Sequence, residues 1–217
     1  VGARTTVNPF YVQEIAEALK GVDISVMVKN PLHPELSLWM GALERFNQVG
    51  ISKLSAIHRG FFTLEKSAFR NEPKWELPIK LKRLNPDLHI ICDPSHISGS
   101  SQMLAEVSQT AMDLNMDGLM IETHYKPSVA LSDAQQQITP DELGVLLDNL
   151  ILRSSTHPNA QFKSTLNKLR QKIDIIDKKL VDIVGQRTAI VQEIGSYKKE
   201  NAVTILQIER WFEILNS

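Results

Sequence analysis

Short apolar segments alternate with longer amphipathic segments over the first two thirds of the chain, and this alternation constrains the fold most strongly. Because strand and helix follow each other in turn, we expect parallel strands joined by helical crossovers. Each apolar segment ends in polar or charged side chains, and catalytic residues of (β/α)₈ barrels lie at these carboxyl ends. The predicted strands are residues 24–28, 54–57, 88–91 and 118–121, and the predicted helices are residues 9–20, 34–49, 78–84, 101–114 and 140–152.

The number of predicted units is too small for a complete barrel, which takes eight units and about 250 residues. We find four complete units, preceded by Val1-Gly2-Ala3 as the end of an earlier strand with Arg4 at its tip. The predicted fold class is therefore α/β, with residues 1–153 as the C-terminal half of a (β/α)₈ barrel. We also expect the chain to begin in mid-domain and to be truncated at both ends.

A predicted all-α domain, residues 163–217, follows a polar linker at residues 154–162. Between residues 163 and 199 there is no proline, and apolar residues recur at spacings of three and four, as in a coiled coil. A helix of this length extends roughly 55 Å and needs a partner, so we predict antiparallel pairing in a homodimer. The apolar seam consists of Leu166, Leu169, Ile173, Ile176, Leu180, Ile183, Ile190, Ile194 and Tyr197.

Composition limits the classes of partner and the compartment. With 217 residues, 42% of them hydrophobic, and a net charge of −1, the chain lacks the basic excess typical of proteins that bind nucleic acid or anionic membranes. No apolar run approaches the roughly 20 residues of a membrane span. The single cysteine, Cys92, excludes an internal disulfide, so we expect a cytoplasmic protein.

Potential metal ligands follow the last two predicted strands. The stretch from Cys92 to His96 comes directly after the third strand, Glu122 follows the fourth, and Asp133 lies in the next loop. One imidazole and two carboxylates suit a divalent metal with open coordination positions, which is a catalytic arrangement. The alternative for His96 alone is a loop histidine beside the next helix, and Cys92 is expected to be a buried strand residue.

Cations lie where the earlier strands end, at Arg4, Lys29 and Arg59. Each could be an ordinary solvated charge. Three cations at one barrel mouth beside a metal would repel one another, however, unless anions lie among them. Because arginine binds phosphate and carboxylate bidentately, we predict an anion site at these three residues.

Further cations interrupt the apolar seam of the long helix. Arg187 occupies a seam position, where an unpaired charge is costly. Lys198 follows it by three turns plus about 20°, so both lie on one face of the helix. Arg170 lies nearly five turns before Arg187 and could approach Lys198 only from an antiparallel partner helix. The geometry therefore predicts a dianion pocket built across a dimer.

Six motifs in the first domain, taken together, resemble the later half of the 3-deoxy-D-arabino-heptulosonate 7-phosphate (DAHP) synthase family, type I, β subfamily. The resemblance implies condensation of phosphoenolpyruvate with erythrose 4-phosphate, a transferase reaction that begins the shikimate pathway. The motifs are Gly2-Ala3-Arg4-Thr5-Thr6, Lys29-Asn30-Pro31, His58-Arg59-Gly60, Cys92-Asp93-Pro94-Ser95-His96, Ile121-Glu122-Thr123-His124 and Leu131-Ser132-Asp133.

The resemblance also implies roles for individual residues. Arg4, Lys29 and Arg59 would bind phosphoenolpyruvate, and Lys29 would also donate a proton. A divalent metal such as Mn, Fe or Zn would polarise the aldehyde of the second substrate. The family's fourth ligand, a cysteine on the first strand, is absent, as is its Lys-Pro-Arg-Thr segment, and Val7 replaces a usual glutamate. The three family ligands present would be His96, Glu122 and Asp133.

The helical segment resembles an all-helical chorismate mutase, an isomerase that converts chorismate to prephenate without a cofactor. By this resemblance Arg170 of the partner chain, Arg187 and Arg210 would bind carboxylates, and Lys198 would stabilise charge on the breaking ether oxygen. Gln207 and Trp211 stand where other members carry acidic residues. The matching pattern is Leu169-Arg170-x-x-Ile173-Asp174-x-x-Asp177, Arg187, Ile194-Gly195-x-x-Lys198 and Arg210.

The leading hypothesis is a bifunctional enzyme of aromatic amino acid biosynthesis. The alternative is an inactive barrel remnant with a helical dimerisation or regulatory module, but a pure coiled coil would prefer an apolar residue to Arg187. A third possibility, a sister synthase that makes an eight-carbon sugar acid phosphate, is disfavoured by the mutase-like segment. Because a metal ligand, the second-substrate segment and nearly half the barrel are missing, we expect little synthase activity from this chain alone.

Overall fold

The structure is a computed structural model that describes residues 1–154, 159–205 and 207–216. Contacts divide the chain into two compact units, Val1–Ser155 and Thr156–Ser217. In the first unit, the strands form one parallel sheet whose spatial order follows the sequence. This arrangement confirms the predicted α/β class with helical crossovers. The strands are β1 (Val26–Lys29), β2 (Leu54–His58), β3 (His89–Cys92) and β4 (Gly118–Leu119).

The longer helices of this unit cover the predicted segments, with ends that differ by a few residues. Short 3₁₀ turns at Ser101–Met103, Pro127–Val129 and Ala134–Gln136 lie in the connections. The helices are α1 (Ala3–Thr6), α2 (Pro9–Ala18), α3 (Leu36–Gln48), α4 (Glu76–Leu84), α5 (Pro94–Ser98), α6 (Leu104–Asp113) and α7 (Pro140–Asn149).

Local side chains define several helix ends. The Asn8 side chain accepts hydrogen bonds from amides in the first turn of α2, and Thr139 and Glu142 form a capping box at α7. Gly21, just past the end of α2, has φ +79°, a left-handed conformation that glycine adopts without strain. These caps explain why helix positions could be predicted from sequence.

The core of the first unit lies between the sheet and the helices that cover it. Trp39 and Phe46 of α3 are fully buried against strand residues such as Val28 and Ile90. The indole of Trp39 also donates a hydrogen bond of 3.0 Å to the Val28 carbonyl, which ties α3 to β1. Packing of this kind holds the carboxyl ends of the strands in fixed positions beside one another.

Three local predictions differ from the structure. Residues Ala3–Thr6 form a short helix rather than a strand tip, although the Lys29 amide still donates to the Val1 carbonyl at 3.0 Å. The segment after β3 is helical from Pro94 instead of forming a loop until residue 101. Here Asp93 is the N-cap and Pro94 the first helical residue, a combination that starts a helix as readily as it ends a strand. The fourth strand is also shorter than predicted.

The second unit contains α8 (Ala160–Glu200) and α9 (Ile208–Leu215). Helix α8 begins a few residues before the predicted start, where the Asn159 side chain caps it. None of its residues is buried, and seam residues such as Ile173 and Ile183 are more than half exposed. The seam is thus uncovered in the single described chain. No helix in the described ranges is long and apolar enough to cross a bilayer.

Candidate active site at the carboxyl ends of the strands

A cleft of about 590 Å³ opens at the carboxyl ends of the strands. The elements that line it are the α1 turn, the ends of β1 and β2, the loop before α4, the start of α5 and the loop before α7. The cleft brings together residues that are far apart in sequence. Among them are the three predicted anion-binding residues and two of the predicted metal ligands, Arg4, Lys29, Arg59, His96 and Asp133.

His96 is positioned by Asp93, which sequence analysis did not single out as a site residue. One oxygen of the buried Asp93 carboxylate accepts from the His96 backbone amide at 3.0 Å, as a helix cap. The same carboxylate lies 2.9 Å from His96 Nδ1. With Nδ1–H donating to a carboxylate, the other ring nitrogen, Nε2, has the lone pair that a metal needs.

Asp93 also joins the histidine to the cation at the end of β1. Lys29 Nζ lies 2.9 Å from Asp93 Oδ2, and Asp93 is 1% exposed. Burial raises the pKa of Asp93, but the hydrogen bonds from His96 and the charges of His96 and Lys29 outweigh it, so the net pKa lies below the usual range. Asp93 is therefore an ionised bridge between Lys29 and His96.

His96, Glu122 and Asp133 each offer a ligand atom, and these atoms lie within 4.8 Å of one another. Donors on opposite sides of one ion at about 2.0–2.6 Å are about 4–5 Å apart, so the three fit around a single divalent cation. The backbone of Glu122 is fixed by a hydrogen bond of 3.0 Å, which its amide donates to the buried Ser95 hydroxyl. The donor set of one nitrogen and two carboxylates suits a transition metal.

Arg70 and Gln136 connect the two carboxylates, and neither residue was predicted. Arg70 Nη1 donates to Asp133 Oδ1 at 2.7 Å and to Gln136 Oε1 at 2.6 Å. Gln136 Nε2 donates in turn to Glu122 Oε2 at 2.9 Å. The hydrogen bond from Arg70 is the largest cause of the lowered pKa of Asp133. Because the two contacts of Arg70 join residues more than 60 positions apart, no local pattern could reveal this connection.

Arg59 is buried and held by two asparagines. Its backbone amide donates to Asn30 Oδ1 at 2.7 Å, and its Nη1 donates to Asn71 Oδ1 at 2.8 Å. Asn71 Nδ2 donates to the His96 carbonyl at 2.6 Å, which links the arginine to the candidate metal ligand. Gly60 has φ +76°, and a Cβ there would lie 2.6 Å from the Asn71 carbonyl oxygen, so only glycine fits this turn.

The charges around the cleft leave an excess of positive charge. Burial lowers the pKa of Arg59, Asp93 raises it, and the neighbouring cations Arg70 and Arg4 lower it further. Arginine nevertheless stays protonated, so four cations, including Lys29, face the three carboxylates Asp93, Glu122 and Asp133. This arrangement favours binding of a phosphorylated or carboxylated ligand.

The cysteine near the site is part of the core. Cys92 is fully buried among the hydrophobic residues of the sheet, and burial raises the pKa of its thiol. A thiol kept protonated in an apolar setting is neither a nucleophile nor a metal ligand. The structure thus agrees with its interpretation as a buried strand residue.

In the second unit, two of the three predicted cations of α8, Arg170 and Arg187, are exposed, and the third, Lys198, is partly buried. Lys198 Nζ donates to the Ile205 carbonyl at 2.9 Å and lines a pocket of about 580 Å³ with Tyr197. Arg170 does not approach Lys198, because both lie on one continuous helix. The fourth predicted residue, Arg210, has its side chain outside the described part of the structure.

Comparison with known proteins identifies both segments. Residues 1–154 match the family model of the DAHP synthetase I family, and residues 169–217 match that of chorismate mutase type II. A phospho-2-dehydro-3-deoxyheptonate aldolase of Thermotoga maritima is 27% identical over 113 residues, which is 52% of this chain and 33% of the relative. A 2-dehydro-3-deoxyphosphooctonate aldolase of Wolinella succinogenes is 41% identical over 56 residues, which is 26% of this chain and 21% of the relative.

Two solved structures from Thermotoga maritima have a similar fold. A truncated form of 3-deoxy-D-arabino-heptulosonate 7-phosphate synthase aligns with a TM-score of 0.60 and 25% identity, over 68% of this chain and 54% of that one. A structure of phospho-2-dehydro-3-deoxyheptonate aldolase (DAHP synthase) aligns with a TM-score of 0.61 and 25% identity, over 68% of this chain and 42% of that one.

The chain spans one third or less of the length of the curated relatives it matches. Its parallel sheet, with covering helices and a cleft at the strand ends, is a partial barrel of the DAHP synthase type, as predicted from sequence. The chain belongs to the DAHP synthetase I family, and a chorismate mutase type II segment follows the family domain.

Proposed function

We propose that the complete protein is a bifunctional enzyme of aromatic amino acid biosynthesis. Its synthase condenses phosphoenolpyruvate with erythrose 4-phosphate, and its mutase segment rearranges chorismate to prephenate. The observation that supports the synthase most directly is the cleft in which Arg4, Lys29 and Arg59 lie beside His96 and Asp133. The alternative, an inactive remnant, gives no reason for two buried charges, Arg59 and Asp93, that are bonded to other polar groups of the cleft.

The cations of the cleft bind and orient phosphoenolpyruvate in this proposal. Arg4 and Arg59 bind its anionic groups, and Asn30 and Asn71 hold Arg59 in place before the substrate arrives. Lys29 forms an ion pair with Asp93 at 2.9 Å, and its ammonium group can both neutralise the substrate and donate a proton. Preorganised cations of this kind cost little reorganisation during the reaction.

We further propose that His96, Glu122 and Asp133 hold a divalent transition metal such as Mn, Fe or Zn. When bound, the ion supplies Lewis-acid polarisation of the aldehyde of erythrose 4-phosphate. The residues of the chain prepare this site: Asp93 selects the tautomer of His96, and Ser95 fixes the backbone of Glu122. The mutase reaction needs no cofactor.

The eight-carbon synthase remains the second candidate for the barrel. It is favoured by the 41% identity to a 2-dehydro-3-deoxyphosphooctonate aldolase, which covers 26% of this chain. Two findings favour the DAHP reaction instead: the family match covers residues 1–154, and a chorismate mutase segment follows it. A mutase and a DAHP synthase serve the same biosynthetic route, whereas an eight-carbon sugar acid does not.

For the second unit, we propose a homodimer in which two α8 helices pair antiparallel. Leu169 and Ile194 are half exposed in the single chain, and pairing would bury the whole apolar seam. In the dimer, Arg170 of one chain would join Arg187 and Lys198 of the other around the carboxylates of chorismate, with Arg210 as a further ligand. We place the protein in the cytoplasm, because its single cysteine excludes a disulfide within the chain.

A substrate comparison on the full-length protein tests the proposal. Release of phosphate from phosphoenolpyruvate should require erythrose 4-phosphate and be at least tenfold slower with arabinose 5-phosphate, and chorismate should disappear in a separate assay. Preference for arabinose 5-phosphate would establish the eight-carbon reaction. Consumption of neither sugar phosphate would support the inactive remnant.

A further inference from the structure

We propose that Arg70 and Gln136 form a carboxylate clamp that makes Glu122 and Asp133 one-oxygen ligands and thereby selects a small transition-metal ion over Ca²⁺. The inference rests on the metal site of the proposed function and deepens it. It concerns two residues that no motif of the sequence marks. The clamp is defined as the chain of hydrogen bonds from Asp133 through Arg70 and Gln136 to Glu122.

The clamp uses one oxygen of each carboxylate. Arg70 bonds to Oδ1 of Asp133, and Gln136 bonds to Oε2 of Glu122. The second oxygen of each carboxylate is then the one that can approach an ion. Glu122 Oε1 lies 3.6 Å from His96 Nδ1, and the three residues each have a ligand atom within 4.8 Å of the others. Both carboxylates are thus prepared to bind through a single oxygen.

The amide of Gln136 can adopt only one orientation in this network. Its oxygen must face the Arg70 guanidinium, which only donates, and its NH₂ group must face the Glu122 carboxylate, which only accepts. A flipped amide would lose both hydrogen bonds, and Gln136 is 1% exposed, so water cannot replace them. Burial therefore converts a flexible side chain into a rigid strut between the two ligands.

Binding through one oxygen of each carboxylate favours some metal ions over others, because ions differ in the number of oxygen ligands that they take. Ca²⁺ takes six to eight oxygen ligands at about 2.3–2.6 Å and often binds carboxylates through both oxygens. Transition ions such as Zn²⁺ accept fewer ligands at about 2.0–2.2 Å, and imidazole suits them. Because the clamp withholds one oxygen from each carboxylate, it removes the donors that Ca²⁺ needs while leaving enough for a transition ion that also binds His96.

The test compares Mn²⁺ and Ca²⁺ dissociation constants of the full-length protein, measured by calorimetric titration. Gln136→Met removes the strut at similar volume, and Gln135→Met, an exposed neighbour, is the matched control. We expect Gln136→Met to weaken Mn²⁺ binding about 10–100-fold. Ca²⁺ binding should weaken less or improve, so that the ratio of the two affinities falls by at least about tenfold, and Gln135→Met should change neither.

A thermodynamic cycle separates the clamp from general stability. Arg70→Gln, on a half-exposed side chain, should also lower the Mn²⁺/Ca²⁺ ratio, and the double variant should be less than additive because both residues act in one chain of bonds. This variant carries the test if Gln136→Met fails to fold. Equal loss of both ions, or no loss, would overturn the clamp alone. Absence of Mn²⁺ binding in the wild type, or binding that survives His96→Ala, would overturn the metal site as well.

Discussion

At the scale of single residues, His58 carries a measurable pH effect. Its ring is fully buried among Trp39, Phe61 and Trp75, and no side chain in the described structure forms a hydrogen bond with either ring nitrogen. Burial is the main cause that lowers the pKa of His58 to about 3, although Asp93 opposes the shift. The folded protein therefore keeps His58 neutral, whereas the unfolded chain binds a proton near pH 6.5.

We predict that the free energy of unfolding falls as the pH drops from about 6.5 towards 3. The unfolded state binds more protons in this window, so acid favours it, by up to about 4–5 kcal/mol for one such group. His58→Phe should flatten this part of the pH profile in urea denaturation experiments, whereas His33→Phe, on an exposed histidine, should not. An unchanged acid slope in His58→Phe would show that other groups cause the loss.

At the scale of elements, one residue at the start of helix α5, Asp93, has both a structural and a functional role. Asp93 caps α5 through the His96 amide and also bridges Lys29 and His96. Asparagine caps helices as well as aspartate does but carries no charge. Alanine neither caps a helix nor carries a charge. The two roles can thus be separated by substitution.

We predict that Asp93→Ala is less stable than Asp93→Asn by about 1 kcal/mol, the usual value of a helix cap. Both variants should weaken Mn²⁺ binding to a similar extent, because both lose the charged partner of His96 and Lys29. Thermal or urea denaturation measures the first difference, and metal titration the second. Full metal affinity in Asp93→Asn would restrict Asp93 to its role as a cap.

The elements also show what sequence could and could not predict. Elements such as β2 and α3 were predicted because their hydrophobic patterns are local in the sequence. The start of α5 was missed, because the sequence pattern predicts no helix between the third strand and residue 101. Arg70, Asn71 and Gln136 could not be predicted, since each makes a contact with a residue at least 25 positions away in the sequence. The candidate ligands and cations, in contrast, lie at strand ends, where α/β topology itself brings residues together.

At the scale of the whole molecule, the exposed apolar seam of α8 predicts that the protein associates with a second copy of itself. We predict that the full-length protein is a dimer and that Ile183→Glu dissociates it, because a buried charge in the seam is unpaired. Arg187→Leu should preserve the dimer and abolish mutase activity. Sedimentation equilibrium measures the first effect and chorismate consumption the second. A monomeric wild type, or full mutase activity in Arg187→Leu, would contradict the paired-helix proposal.

The cleft at the strand ends is the centre of this account, and its most direct test is the kcat/KM for phosphoenolpyruvate in Arg59→Ala of the full-length protein. Arg59 is buried and held by two asparagines, so its loss removes a preorganised cation. We expect kcat/KM to fall at least about 30-fold, the equivalent of about 2 kcal/mol, while Arg83→Ala on the exposed face of α4 leaves it unchanged. An unchanged kcat/KM in Arg59→Ala would contradict the assignment of this cleft as the phosphoenolpyruvate site.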